Sequence, residues 1–217
     1  MTHHADDQLV TNEMLMLSGS QLDLNDDGPE GITLIDIAQG LAHQCRYAGQ
    51  VNHPYSVAQH SVLLAFYTPK HMRRYALMHD AAEFLLGDKI RPVKTMLPDY
   101  KALERRFAER IYRKYGVVPE AGLADYDFRI TVDELIALRP MAGVDYELKF
   151  GVKKLNIDST LMKPWHWASA RGAWLRMFSL LFPEHRAEFE KARDYFAMAG
   201  DPQPQRYIPF PEDLING

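Results

Sequence analysis

Histidine is unevenly spread along this chain. Five of the nine, His43, His53, His60, His71 and His79, fall within 37 residues, and His79 is followed at once by Asp80. Adjacent residues on a helix are about 100° apart, so both side chains of the pair can reach one point just off the helix. An imidazole and a carboxylate buried together are costly unless something pairs them, and a divalent metal does so. Glu83, four residues after His79, lies on the same helical face and can overhang such a metal without being a ligand. The flanking Ala76-Leu77-Met78 and Phe84-Leu85-Leu86 are apolar, as a buried site requires. On these three residues alone, a surface pair of His79 and Asp80 with Glu83 in solvent is equally open.

Helices must position these groups. Ser56 with Gln59 reads as a capping box opening a helix through His60 to about Phe66. Thr33 with Asp36 resembles another capped start. Thr68 and Pro69 read as a cap and a first-position proline, opening a helix expected to run unbroken through His79 and Asp80 to Leu86, with Gly87 as its stop. Pro98-Asp99 opens a helix ending at Gly116, and Pro119-Glu120 one reaching about Arg139. Pro164 and Pro183 each open another, Gly200 closing the last. Strand signals are confined to Met14 to Leu17, able to pair with Gln21 to Leu24. Ser18 to Gly31 and the proline-rich tail from Asp201 to Gly217 are the least structured by composition. The expected fold is an all-α bundle with a small N-terminal hairpin, a single domain over residues 1–217 whose C-terminal helices and tail occupy 164–217.

Composition supports that reading. At 217 residues, 47% hydrophobic and 25% charged, the chain can bury one core, and its net charge of -4 offers no basic field for nucleic acid. Lys101, Arg105, Arg106, Arg110, Arg113 and Lys114 alternate with Glu104 and Glu109, which reads as a solvated helix face. One cysteine, Cys45, excludes an internal disulfide. Met1-Thr2-His3-His4-Ala5-Asp6-Asp7 lacks a signal-peptide pattern, and no apolar run approaches the roughly 18 residues of a membrane span. A cytoplasmic protein with no membrane contact is expected. His3 and His4 are expected to be disordered, and His43, His53 and His71 to be core, surface or supporting residues rather than ligands. Trp165, Trp167, Trp174, Phe178, Leu181 and Phe182 read as core or a subunit contact, and a homo-oligomer is expected.

Three segments carry a family resemblance: Ser56-Val57-Ala58-Gln59-His60-Ser61, His79-Asp80-Ala81-Ala82-Glu83, and Gly87-Asp88-Lys89-Ile90-Arg91-Pro92-Val93-Lys94. Together they resemble the HD-domain metal-dependent phosphohydrolases, within them the small branch that includes the bacterial 5'-deoxynucleotidases. The likeness runs from about Leu34 to Leu138. It implies an HD-type bundle holding one divalent metal per subunit (manganese, cobalt, iron, nickel, zinc or magnesium) on His60, His79, Asp80 and a fourth carboxylate. For the fourth, Ala124-Asp125 fits the family's Ala-Asp, with Thr131 six residues later. Asp133 competes, and Asp127 is a weaker competitor. Two-metal branches need extra histidines after the His-Asp pair, and none stands between Asp80 and His166, so one metal is implied.

The resemblance also places Glu83 and Asp88 in the active site as acids, and Arg46 and Tyr47 as substrate contacts. The deoxynucleotidases carry a tryptophan where this chain has Tyr47, which leaves sugar and base selectivity open. Lys94, and less so Arg91, is available to add positive charge at the pocket or to flank a helix in solvent. The implied reaction is hydrolysis of a (deoxy)nucleoside 5'-monophosphate to nucleoside and phosphate by a metal-activated water. Two alternatives remain: a (deoxy)nucleoside triphosphate triphosphohydrolase releasing triphosphate, and a non-catalytic metal-dependent nucleotide-binding module. Glu83 and Asp88 argue against the last, because binding a metal requires neither.

Overall fold

The computed structural model describes residues 12–200; the expectations for His3, His4 and the proline-rich tail fall outside them. Helices dominate, joined by one antiparallel hairpin of β1 (Glu13–Leu15) and β2 (Gln21–Asp23), with Met14 opposite Leu22. The architecture is thus all-α with an N-terminal hairpin. No helix among the described residues is long and apolar enough to cross a membrane.

Local signals set several helix starts. In α1 (Leu34–His43) the Thr33 side chain accepts from the Asp36 N–H, and in α2 (Val57–Tyr67) the Ser56 side chain accepts from the Gln59 N–H. Each satisfies one of the donors a helix start leaves open. Every residue of α2 from Val57 to Ala65 is buried. It packs against α1, α3 (Arg73–Met78), and α9 (Trp167–Leu181), which explains a sequence with no polar stripe. Trp174, Phe178 and Phe182 stack successively at 5.7 and 4.5 Å in the core, whereas Trp165 and Trp167 stay half-buried at the surface. The bundle is completed by α10 (Arg186–Met198), packed on α1 and α9.

The helix expected to run unbroken to Leu86 is divided. Thr68 closes α2, its N–H bonding to the Leu64 carbonyl, and a 3-10 turn at Lys70–Met72 leads into α3. That helix stops at Met78, and α4 spans only Glu83–Leu86. Between them the bonds tighten: Ala81 N–H reaches Met78 O at 3.0 Å and Glu83 N–H reaches Asp80 O at 2.9 Å. A continuous helix would have sent the Glu83 N–H to the His79 carbonyl. That carbonyl instead accepts from the Tyr112 hydroxyl at 2.9 Å. Tight 3-10 turns inside helices often mark functional positions, and this one falls on the His-Asp pair.

Downstream lie α5 (Arg91–Met96), α6 (Pro98–Tyr115), ended by Gly116 in the left-handed region, α7 (Leu123–Leu138) and α8 (Tyr146–Phe150). α7 begins four residues beyond Pro119, and α9 begins at Trp167, capped by His166 rather than opened at Pro164. The basic residues of α6 are not simply a solvated face. Arg110 is 1% exposed, its guanidinium bonding Gly28 O at 2.7 Å and Asp23 O at 2.9 Å. Arg106 reaches Leu24 O, Arg113 reaches Asp27 O and Lys114 reaches Ile32 O. Four cations therefore clamp the segment after the hairpin, giving its carbonyls the donors that a loop lacks.

Gly40 lets α1 approach α4. A Cβ there would stand 2.4 Å from the Phe84 carbonyl oxygen. Alanine gains about 1 kcal/mol of helix propensity, but overpacking against backbone costs about 1–3 kcal/mol, with no rotamer to relieve it. Gly40→Ala is expected to lower Tm by several degrees, at roughly 2–4 °C per kcal/mol. An unchanged or raised Tm in a thermal melt would contradict that close approach.

Candidate metal centre

Three helical regions converge on one point. His60 comes from the end of the first turn of α2 and is fully buried. His79 and Asp80 come from the break between α3 and α4, and Asp127 from the second turn of α7. His60 Nε2 lies 3.3 Å from Asp127 Oδ1 and 3.7 Å from Asp80 Oδ2. His79 Nε2 lies 3.1 Å from Asp80 Oδ2 and 3.9 Å from Asp127 Oδ1. Ligand atoms of His60, His79 and Asp127 are all within 4.8 Å of one another.

The far sides of both rings fix their tautomers. His60 Nδ1 donates to Glu134 Oε1 at 2.7 Å and His79 Nδ1 to the Ala76 carbonyl at 2.8 Å. With the Nδ1 protons turned outward, both Nε2 atoms face inward, where each is buried without a hydrogen-bond partner. Nitrogens facing carboxylate oxygens at these distances need a cation between them, either a proton on the ring or a metal. Two imidazole nitrogens and two carboxylates suit a divalent first-row metal, so the donor set fits the group that the sequence implied. The electrostatics agree. Burial and Arg46 press the His60 imidazole down, yet Glu134 and Asp127 carry its pKa up to about 9. Burial opposes ionisation of Asp80, but His79, His60 and Arg46 hold it well below the usual carboxylate range. Asp127 is held at about 2 against its burial, chiefly by His60. The cluster draws positive charge to its centre.

Asp125, the carboxylate favoured from sequence as fourth ligand, is not at this centre. It faces solvent and pairs with Arg129 at 3.6 Å one turn along α7. Two residues on a helix is about 200° of rotation, so Asp125 and Asp127 cannot share a face. Asp133 is also elsewhere, accepting the Leu155 and Ile157 N–H groups at 2.6 and 3.0 Å. Thr131 sits one turn beyond Asp127, its hydroxyl donating to the Asp127 carbonyl at 2.9 Å.

Glu134 is the main residue that sequence reasoning missed. It has no exposed surface, and besides His60 it meets Arg46 Nε at 3.2 Å and accepts the Tyr47 hydroxyl. Arg46 also reaches Asp80 Oδ2 at 3.3 Å, so its guanidinium ties a cluster carboxylate to the one behind His60. A ligating histidine held from behind by a carboxylate is oriented and made more basic by it. The sequence signal was an acidic residue at the spacing i+7 from Asp127, on the same face of α7. Tyr47 and Ala48 are both left-handed, at φ 60° and 51°. Such backbone is strained in residues with side chains. Here it brings the Tyr47 ring within 5.3 Å of both the Arg46 and the Arg139 guanidinium groups. The Tyr47 N–H donates to Asp88 Oδ2 at 3.2 Å, tying the loop after Gly87 to the same segment.

Glu83 opens α4 and is buried. Lys94 Nζ stands 3.0 Å from its Oε1 and 2.7 Å from Glu104 Oε1. Burial, then Asp80 and Asp88, push the Glu83 carboxyl up to about 8. A cavity of about 720 Å³ adjoins the cluster, lined by Tyr75, His79, Asp80, Glu83, Lys94 and Tyr112, with Lys101 and Arg105 also on its wall. Sequence reasoning left Lys94 between pocket and solvent, and the structure brings it to the pocket. Arg91 instead lies exposed, its guanidinium 5.5 Å from the Phe128 ring.

No family model matches the chain. It is 44% identical over 90 residues to the uncharacterized protein YfdR of Escherichia coli, covering 42% of this chain and 51% of that protein. It is 41% identical over 112 residues to the uncharacterized protein RCAP_rcc00048 of Rhodobacter capsulatus, covering 47% and 57% respectively. The chain therefore spans about half the length of the curated relatives it matches.

Proposed function

We propose that this protein is a metal-dependent phosphohydrolase acting on (deoxy)nucleoside 5'-monophosphates, its metal held by His60, His79, Asp80 and Asp127. One observation carries the reading: two buried, partnerless Nε2 atoms face two carboxylates beside a cavity that also holds a buried acid and a lysine. A divalent metal bound there supplies Lewis acidity to a phosphoryl oxygen and to a water. The rest of the chemistry is positioning and proton transfer by the chain's own groups.

Glu83 is suited to the proton. Burial, then Asp80 and Asp88, raise its pKa to about 8, which suits the carboxyl to passing a proton to the leaving alcohol oxygen. Lys94 holds Glu83 Oε1, while Oε2 has no hydrogen-bond partner. Arg46 is engaged with Asp80 and Glu134, so its part is to hold the carboxylates in place. Asp88 fixes the Tyr47 backbone and so shapes the sugar side of the site. Lys101 and Arg105, further along the cavity wall, favour a second reading in which a longer phosphate chain is bound and triphosphate released.

Product analysis decides. The purified protein, given each metal in turn, is expected to release orthophosphate and nucleoside from monophosphates, with Asp80→Ala inactive and devoid of metal. Tripolyphosphate from triphosphates would select the second reading. Bound metal without turnover on any nucleotide would leave a binding module and end the hydrolase proposal. Glu83→Gln is expected to keep its metal and lose about 10²–10⁴-fold in rate; near-normal turnover would remove Glu83 from the chemistry.

Metal affinity should depend on pH with a definite sign. Below about 9 the His60 imidazole holds a proton that a metal must displace. Apparent affinity is therefore expected to rise by roughly tenfold per pH unit between pH 6 and 8, measured by competition with a chelator. A flat profile over that range would show that His60 carries no such proton.

A further inference from the structure

A second cavity, of about 590 Å³, shares no lining residue with the first. It lies where the end of α1, the loop before α2 and the loop before α9 meet. Trp165 and Trp167 supply flat apolar walls, and His43, His53 and His166 supply imidazole edges. Among the described residues, none that lines it is Asp, Glu, Lys or Arg, in a chain that is 25% charged. The cavity beside the metal centre, by contrast, is lined by carboxylates, lysines and an arginine.

Its walls are fixed before any ligand arrives. Buried Gln59 donates from Nε2 to the Leu161 and Lys163 carbonyls at 2.9 and 3.0 Å and accepts the Trp165 N–H at 2.9 Å. The facing wall is held by Arg46 N–H to Tyr55 O at 2.8 Å and Val57 N–H to Gln44 O at 3.0 Å. Trp167 is held edge-on to His43 at 4.9 Å and tilted against His166 at 5.2 Å. Half-exposed tryptophans around a preformed hollow of this size are the ordinary material of a small-molecule site. The indoles favour a flat ring, imidazole edges favour a ligand with donors and acceptors, and the absence of lysine and arginine from the lining disfavours a phosphate, Arg171 over the Trp167 ring at 5.1 Å being engaged with Gln39 at 2.7 Å.

We propose that this cavity binds a neutral planar heteroaromatic of nucleobase or nucleoside type, flanked by Trp165 and Trp167 and hydrogen-bonded at its edge by the imidazoles. The proposal is independent of the hydrolase reading, because neither the metal cluster nor Glu83 takes part.

The full chain carries its own reporters. Cys45, the sole cysteine, is half-buried and lines the cavity, and two of the three tryptophans do too. The test follows alkylation of Cys45 by iodoacetamide, together with tryptophan fluorescence, as adenosine or thymidine is added, with ribose as the control. Adenosine or thymidine is expected to slow alkylation by a factor of 1 + [L]/Kd, roughly tenfold at ten times Kd, and to change the fluorescence with the same midpoint. Ribose should do neither. Protection should persist in Asp80→Asn and disappear in Trp167→Leu with its helical circular dichroism intact. His53→Ala, in an exposed loop, provides a second test if the tryptophan variant does not fold. Three results would overturn the proposal: no protection by either nucleoside, protection lost in Asp80→Asn, which would put the ligand in the metal cavity, or protection that follows protein concentration alone, which would mean a second copy covers the hollow.

Discussion

Under the proposed function, Asp127→Asn is expected to empty the metal centre and abolish hydrolysis, while Asp125→Asn leaves both near wild-type levels. The two residues share a helix and a charge and stand two positions apart, yet their surroundings differ completely. Asp127 Oδ1 is 3.3 Å from a fully buried His60 Nε2 and 3.9 Å from His79 Nε2. Asp125 is two-thirds exposed and pairs with Arg129, a surface contact worth about 0.3–0.5 kcal/mol. Asparagine keeps the shape of either side chain and removes the charge, so the comparison isolates ligation from packing. Loss of an outer partner of a ligand typically costs 10–100-fold in metal affinity, and loss of a ligand itself should exceed that. Metal content per chain after desalting is the measurement. Retained metal in Asp127→Asn with loss in Asp125→Asn would reverse the assignment. Asp133→Asn is expected to keep its metal and lose stability, because its carboxylate holds the Leu155 and Ile157 N–H groups.

Glu134→Gln is the second large effect, from a residue that touches no metal in this reading. The carboxylate accepts from His60 Nδ1, meets Arg46 Nε and accepts the Tyr47 hydroxyl, all without solvent. Glutamine can still accept from His60, but its amide N–H₂ then faces the Arg46 guanidinium and the Tyr47 hydroxyl. Arg46 keeps Asp80 as its nearest carboxylate and draws on it more strongly, at the expense of the metal. Removing one partner of a buried pair costs about 3–5 kcal/mol, and the metal should bind about 10–100-fold more weakly. Chelator competition on protein shown to be folded separates the two. Adding Arg46→Met removes the unpaired cation and should recover stability. If metal affinity recovers with it, Glu134 serves only to neutralise Arg46, and the orienting role assigned to it is wrong.

Much of the chain was legible because it is governed by a few consecutive residues. The caps at Thr33 and Ser56 and the stop at Gly116 each depend on donors and acceptors within about four positions. The hairpin was readable for the same reason, from a short apolar run at Met14 to Leu17 able to pair with Gln21 to Leu24. His79, Asp80 and Glu83 were singled out by type and spacing and His60 by the family resemblance, and the fold brings them together.

What the sequence left open was decided by contacts between distant elements. The break at His79 rests on the Tyr112 hydroxyl, 33 residues away on α6, which satisfies the carbonyl that a continuous helix would have used. The clamp on the post-hairpin segment needed Arg110, whose alternation with glutamates looked like a solvated face until folding set α6 against residues 23–32. Asp127 rather than Asp125 was likewise a tertiary decision. Spacing gives the angle between two residues on α7 but not the rotation of α7 about its own axis, which burial of Leu123, Ile130 and Leu138 sets. The same rotation carries Glu134 behind His60. Local backbone chemistry fixes the capped starts and stops, whereas packing fixes breaks such as that at His79 and which way the faces point.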